Sequence, residues 1–266
     1  MLALDLDGTL LNSRKEISPR TLAALLRQQS LGATLVIASG RPVCGSAPFA
    51  HQLELREHGG YVIAFNGAMI LECRTGKLLY ENTLSINTLP KIHAMSMRPS
   101  CTMLTYVDDV IITEDGSNPH VQYAARINRM AVQETKNLLH EVTLPVPKCI
   151  IAGPAAELDA LERQAAQLSP ALPATIVRSE PFFLEFMPQG VDKGAALARL
   201  LTLTGRSAQS LTAFGDSYND ATMLSLAGTA VAMQNARQEI RAMADIVTAS
   251  NDEDGVALYI ESHMTT

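Results

Sequence analysis

Short, unbroken apolar runs that end in small or polar residues constrain this chain more than any other feature. LALDLD (2–7), TLVIASG (34–40), YVIAFNG (61–67), LTAFGD (211–216) and TAVAMQN (229–235) share that grammar. Strands that are apolar throughout, not at alternate positions, belong to a parallel sheet covered on both faces. Between the runs lie helical patterns. SPRTLAALLRQQSLG predicts a helix with Ser18 as N-cap, Pro19 in the first turn and Gly32 at its end. DKGAALARLLTLTG, NDATMLSLAG and DEDGVALYIESHM read the same way, and ADIVT is a further strand run. The fold class expected is α/β, with a Rossmann-like parallel sheet.

The middle of the chain follows other rules. CTMLTYVDDVIITE predicts a hairpin with Asp108 and Asp109 at its turn. KCIIAG and PAAELDALERQAAQL give a strand and a helix, and ATIVRSEPFFLEFMP a second strand pair. The expected organisation is a core of residues 1–84 and 189–266, interrupted by a smaller α+β domain at 85–188. Ligands of open parallel sheets sit beyond the carboxyl ends of the strands. Residues from both ends of the chain should therefore meet at one rim, which the inserted domain is expected to close.

Composition narrows the function. The net charge of −6 and a pI near 5.5 argue against a nucleic-acid partner. No apolar run reaches the roughly 18 residues of a membrane span, and Asp5 interrupts the first apolar stretch before it can serve as a signal segment. Cys44, Cys73, Cys101 and Cys149 are scattered without a CxxC pair, as in reduced thiols. A cytoplasmic protein is expected.

The chemistry concentrates at the rim. Burying a carboxylate requires a hydrogen bond, a cation or a metal, yet the first run carries both Asp5 and Asp7. If the strand continues through Asp7, the two carboxylates share one face. If the chain turns there, the Asp7 backbone carbonyl becomes available instead. Either arrangement suits a hard divalent cation. Within GDSYND (215–220), Asp216 can complete such a site, or Asn219 and Asp220 can simply cap the next helix. Ser39 and Gly40 of SGR offer a hydroxyl and amides suited to phosphate oxygens. Lys193 falls in a first helical turn, where the helix dipole disfavours a cation, which suggests that it is aimed at an anion. Asp5, Asp7 and Asp216 are expected to converge without enough nearby cationic side chains to neutralise them, and hence to need Mg²⁺.

DLDGT (5–9), SGR (39–41), NGA (66–68), DKG (192–194) and GDSYND (215–220), in that order, resemble the haloacid dehalogenase superfamily. The long insertion between SGR and Lys193 is similar to that of Cof-type phosphatases with a type IIB cap. The resemblance covers essentially the whole chain. It implies that Asp5 is a nucleophile forming an aspartyl phosphate and that Asp7 first protonates the leaving alcohol and then activates water. It implies a Mg²⁺ held by Asp5, the Asp7 carbonyl and Asp216, with Asp220 supporting. It implies a phosphoryl group bound by the Leu6 amide, Ser39, Gly40, Lys193 and Asn219. The implied partner is a small phosphorylated metabolite such as a sugar phosphate. Ser39 stands where family members often carry Thr, which keeps the hydroxyl. Phosphoryl transfer to another sugar, and a signalling module phosphorylated without turnover, remain the alternatives. In the inserted segment Tyr106, Asp108, Asp109 and Arg178 are candidates to which no motif gives a role.

Overall fold

The apolar runs become strands because their side chains have no polar group to present to water on either face. Leu2, Ala3 and Leu4 are at most 1% exposed, and Leu35, Val36, Ile37 and Ala38 are fully buried. The computed structural model describes residues 1–168 and 172–264. Strands, numbered in chain order, are β1 (Leu2–Leu4), β2 (Leu35–Ala38), β3 (Tyr61–Ala64), β4 (Met69–Glu72), β5 (Lys77–Glu81), β6 (Thr102–Val107), β7 (Val110–Thr113), β8 (Ala131–Glu134), β9 (Cys149–Ala152), β10 (Ala174–Glu180), β11 (Phe183–Pro188), β12 (Thr212–Gly215), β13 (Thr229–Ala232) and β14 (Ile246–Val247). The chain divides into two compact units, Met1–Tyr80 with Asp192–Thr266, and Glu81–Val191.

The first unit is built on a sheet of order β14-β13-β12-β1-β2-β3-β4-β5. From β14 to β3 the strands pair in parallel, with Leu4 opposite Ile37 on one side and Phe214 on the other. β1 therefore lies inside the sheet, and the carboxyl ends of β1, β2, β3, β12 and β13 share one rim. The sheet is not parallel throughout: β4 runs antiparallel to β3, with Ala64 opposite Met69. Helix Pro19–Ser30 forms as its caps dictate, the Ser18 hydroxyl accepting from the Thr21 amide at 3.1 Å and Gly32 taking φ +93°. On one face Ala3, Val36, Ala38 and Ile63 pack with Ala196, Leu197, Leu200 and Leu201 of helix Lys193–Thr204. Each fully buried leucine there contributes ~1.5–3 kcal/mol.

The second unit carries a sheet of order β10-β11-β9-β6-β7-β8. The β6–β7 hairpin turns at Asp108, φ +50°, with Val107 opposite Val110. Met103, Ile151, Leu184 and Phe186 pack against Leu89, Ile92 and Met95 of helix Leu89–Ser96 and Leu158 and Leu161 of helix Ala155–Leu168. Lys148 and Glu185 form a buried ion pair at 3.0 Å, and the Ser179 hydroxyl donates to the same Glu185 oxygen at 2.9 Å. Arg178 reaches Asp159 and Glu162 at 3.4 and 3.7 Å. The four cysteines are free thiols. Among the described residues no helix is long and apolar enough to cross a membrane.

Candidate active site

β1 stops at Leu4, and the chain turns immediately: the Leu10 amide donates to the Asp5 carbonyl at 3.2 Å and the Leu11 amide to the Leu6 carbonyl at 2.9 Å. Of the two arrangements open to Asp5 and Asp7, the turn is the one adopted. Gly8 makes it possible. Its φ is +91°, and a Cβ there would stand 2.5 Å from Oδ2 of Asp216. Leu6 is fully buried and anchors the turn to the core. The Asn235 side chain donates to the Gly8 carbonyl at 2.8 Å and fixes the turn from the β13 end.

Asp5, 5% exposed, lies with Asp216 and Asp220 so that one carboxylate oxygen from each falls within 4.8 Å of the others. Lys193 Nζ donates to Asp5 Oδ1 and to Asp220 Oδ1, both at 2.6 Å, and is itself fully buried. Its place at the start of helix Lys193–Thr204, which Asp192 caps by accepting from the Ala195 amide at 2.8 Å, is thus explained by two buried carboxylates. Burial alone would lower the Lys193 ammonium, but Asp220 and Asp5 hold it above its ordinary value. Asp220 spends Oδ2 on the amides of Asp216 and Ser217, at 2.9 and 3.0 Å. Burial, and then the charge of Asp220, push the Asp5 carboxyl well above the usual range despite Lys193. Asp216 accepts from the Thr9 hydroxyl at 3.1 Å. Burial and the neighbouring Asp220 push it up to about 6.

Asp7 departs from the expected convergence. Its carboxylate is held by Arg41, Nε to Oδ2 and Nη2 to Oδ1, each at 2.7 Å, and by Lys15 Nζ to Oδ1 at 2.7 Å. Burial would raise this group, but Arg41 and then Lys15 outweigh it and keep it below the ordinary value. The expectation of three converging carboxylates with too few nearby cations is therefore corrected: Asp7 is bound by Arg41 and Lys15, and Lys193 serves Asp5 and Asp220. The long side chains of Lys15 and Arg41 reach Asp7 through the tertiary fold, which local pattern does not report.

Ser39, 2% exposed, follows β2; its amide donates to the Ile63 carbonyl at 2.9 Å and its hydroxyl accepts from the Arg41 amide at 3.1 Å. Asn66, after β3, accepts from the Asn219 side chain at 3.0 Å and stands 3.1 Å from where a Cβ on Gly40 would lie. Phe65 and Asn66 both take left-handed backbone, φ +51° and +56°, before Gly67 at +110°. Sequence reasoning assigned no role to Thr9, Lys15, Arg41, Asn66 or Asn235. Thr9, Arg41 and Asn66 lay within quoted motifs and Asn235 at a strand end, whereas Lys15 carried no signal beyond its charge.

A family model for haloacid dehalogenase-like hydrolases matches residues 2–260. The chain belongs to that family. A crystal structure of a haloacid dehalogenase-like hydrolase from Bacteroides thetaiotaomicron superimposes with a TM-score of 0.92 at 42% identity, covering 98% of this chain and 97% of that one. A provisionally named phosphatase of Haemophilus influenzae is 34% identical over 263 residues, 97% of this chain and 95% of its own. The pyridoxal phosphate phosphatase of Escherichia coli is 27% identical over 272 residues, 99% of this chain and 98% of its own. The haloacid dehalogenase-like chain described here is a phosphatase-type hydrolase, and its carboxylate cluster is of the kind that holds a divalent metal in this family.

Proposed function

We propose that the protein is a Mg²⁺-dependent phosphomonoester hydrolase that works through an aspartyl phosphate on Asp5 and acts on sugar phosphates or similar small phosphorylated metabolites. One observation carries this reading: Asp5 is buried at the end of an interior strand, fixed by Lys193, with Asp216 beside it. A buried, oriented carboxylate next to a second one is the arrangement a nucleophile and a metal site require together.

The donors suit Mg²⁺, which takes oxygen ligands and is typically bound by one or two carboxylates with waters and substrate phosphate. Asp216, pushed up to about 6 although it accepts from the Thr9 hydroxyl, is the carboxylate that a cation would relieve. Asp5, Asp216 and the Asp7 carbonyl would hold the ion, and Asp220, committed to Lys193 and two amides, would support it from behind. Bound there, Mg²⁺ supplies charge neutralisation at the phosphoryl oxygens. The Leu6 amide, Ser39, Gly40, Lys193 and Asn219 would bind those oxygens, with Asn66 orienting Asn219. Asp5 attacks phosphorus, Asp7 gives the leaving oxygen its proton, and Asp7 then takes one from the water that releases phosphate. Residues 85–188 form the inserted cap, to which substrate preference is assigned.

Rapid acid quench during turnover of p-nitrophenyl phosphate, borohydride reduction and mass spectrometry should find homoserine at position 5. Asp5→Asn should give no trapped species and no phosphate release. Wild-type turnover in Asp5→Asn would overturn the reading.

A further inference from the structure

We propose that the protein self-associates through β5, two copies pairing antiparallel about Leu79 so that Lys77 of each meets Glu81 of the partner subunit. β5 closes the eight-stranded sheet at one side. Its outer row of backbone N–H and C=O groups therefore meets no further strand among the described residues, and such a row is a template for one. The sequence of the strand, KLLYE, decides which strand fits. In an antiparallel pair centred on Leu79, position 77 lies opposite 81 and position 78 opposite 80. Both ends of the pair then carry a lysine beside a glutamate, and Leu78 lies against Tyr80, an aliphatic–aromatic contact of the kind that stabilises a ladder.

Edges that must stay single are guarded by charge, because a second copy brings like charge against like. Here the two charges have opposite sign and stand at symmetric places, so a second copy is neutralised instead of repelled. The other edges of the two sheets lack this property. β14 has only two residues. In β10, pairing about Val177 sets Arg178 against Ile176 and Glu180 against Ala174, and in β8 the same operation sets Glu134 against Ala131. The surface beside β5 also suits a protein partner. Leu78 is 43% exposed, and the guanidinium carbon of Arg199 lies 4.2 Å from the centroid of Tyr80. One turn further along helix Lys193–Thr204, Leu203 is 56% exposed. Aromatic side chains and arginine are the types enriched at protein interfaces, and stacking has already fixed this pair.

Five paired residues bury too little by themselves to hold two molecules tightly, since standard specific interfaces cover roughly 1,200–2,000 Å². The dimer is accordingly a weak one, formed at high protein concentration and sensitive to each cross-strand pair.

The test is sedimentation velocity of the full chain at concentrations up to ~100 µM, where small interfaces associate measurably. The wild type should pass from monomer to dimer as concentration rises. Lys77→Glu and Glu81→Lys should each weaken association about tenfold, because two attractive pairs per dimer become repulsive. Mixing the two variants should restore association to the wild-type level, since every charged strand end then meets its opposite. The double variant Lys77→Glu with Glu81→Lys should do so alone. A misfolded variant cannot regain pairing on mixing, so the rescue separates lost contacts from lost structure. A wild type that stays monomeric throughout, single reversals that leave the dimer intact, or a mixture that fails to associate would each overturn the proposal.

Discussion

A Cβ placed on Gly8 would stand 2.5 Å from Oδ2 of Asp216, closer than van der Waals contact allows. Gly8 also takes φ +91°, so two penalties coincide at one position. Gly8→Ala should destabilise the protein by ~1–3 kcal/mol and strip most phosphatase activity, because Asp216 must move to admit the methyl group. Gly32→Ala separates the two penalties. Its φ is +93° and nothing lies within 4 Å of its Cβ position. It should cost ~1 kcal/mol in urea unfolding and leave activity intact; equal loss of activity in both variants would remove the steric account.

Asp216, pushed up to about 6, binds its proton more tightly in the folded than in the unfolded chain, where the ordinary value is 3.8. Its contribution to stability is therefore complete below pH 3.8 and is lost as pH rises through about 6. Asp216→Asn should accordingly stabilise the metal-free protein at pH 8 by roughly 1–3 kcal/mol and leave stability near pH 3.5 unchanged. Added Mg²⁺ should raise the Tm of the wild type and not that of the variant. A variant less stable than wild type at pH 8 without metal would contradict the assignment.

Lys193, fully buried, pairs with both Asp5 and Asp220 at 2.6 Å. Lys193→Met should destabilise by about 3–5 kcal/mol, the usual penalty for leaving buried charge unpaired. Adding Asp220→Asn should recover part of that loss, and denaturant melts of the single and double variants measure it. Strict additivity of the two changes would show that the residues act independently.

The Lys148–Glu185 pair makes the same test in the second unit. Lys148→Met alone should cost about 3–5 kcal/mol, whereas Lys148→Met with Glu185→Leu should return close to wild-type stability. A double variant as unstable as the single would mean that Glu185 is held by its other partners rather than by Lys148.

The α/β architecture was legible because a strand buried on both faces has to be written as an uninterrupted apolar run, and β1, β2, β3, β12 and β13 are. Helix Pro19–Ser30 was legible for a different reason: Ser18, Pro19 and Gly32 each satisfy a terminus chemically. Helix Val43–Gln52 was not, since Gly45 and Pro48 inside it break the pattern that its burial nonetheless supports. The β4–β5 hairpin escaped because β5 sits at a sheet edge and is half exposed, leaving no clean periodicity to read. Around the site, the residues themselves were visible in short motifs, from DLDGT to GDSYND, but their partners were not. That Asp7 turns to Arg41 and Lys15, and that Lys193 turns to Asp5 and Asp220, depends on where four separate loops arrive.

The bond between Lys193 and Asp5 spans 188 positions of sequence, and β1 takes its two neighbours from residues 35–38 and 212–215. A ribosome adding ~5–20 residues per second needs roughly 10–40 s to pass from Asp5 to Asp216. Throughout that interval the second strand of the nascent chain can dock on the first, while the opposite edge of β1 stays open and apolar, a template for wrong pairing or for a chaperone. The nucleophile of the proposed reaction is thus assembled last although it is translated first, and catalytic competence arrives as a late, all-or-none event in biosynthesis.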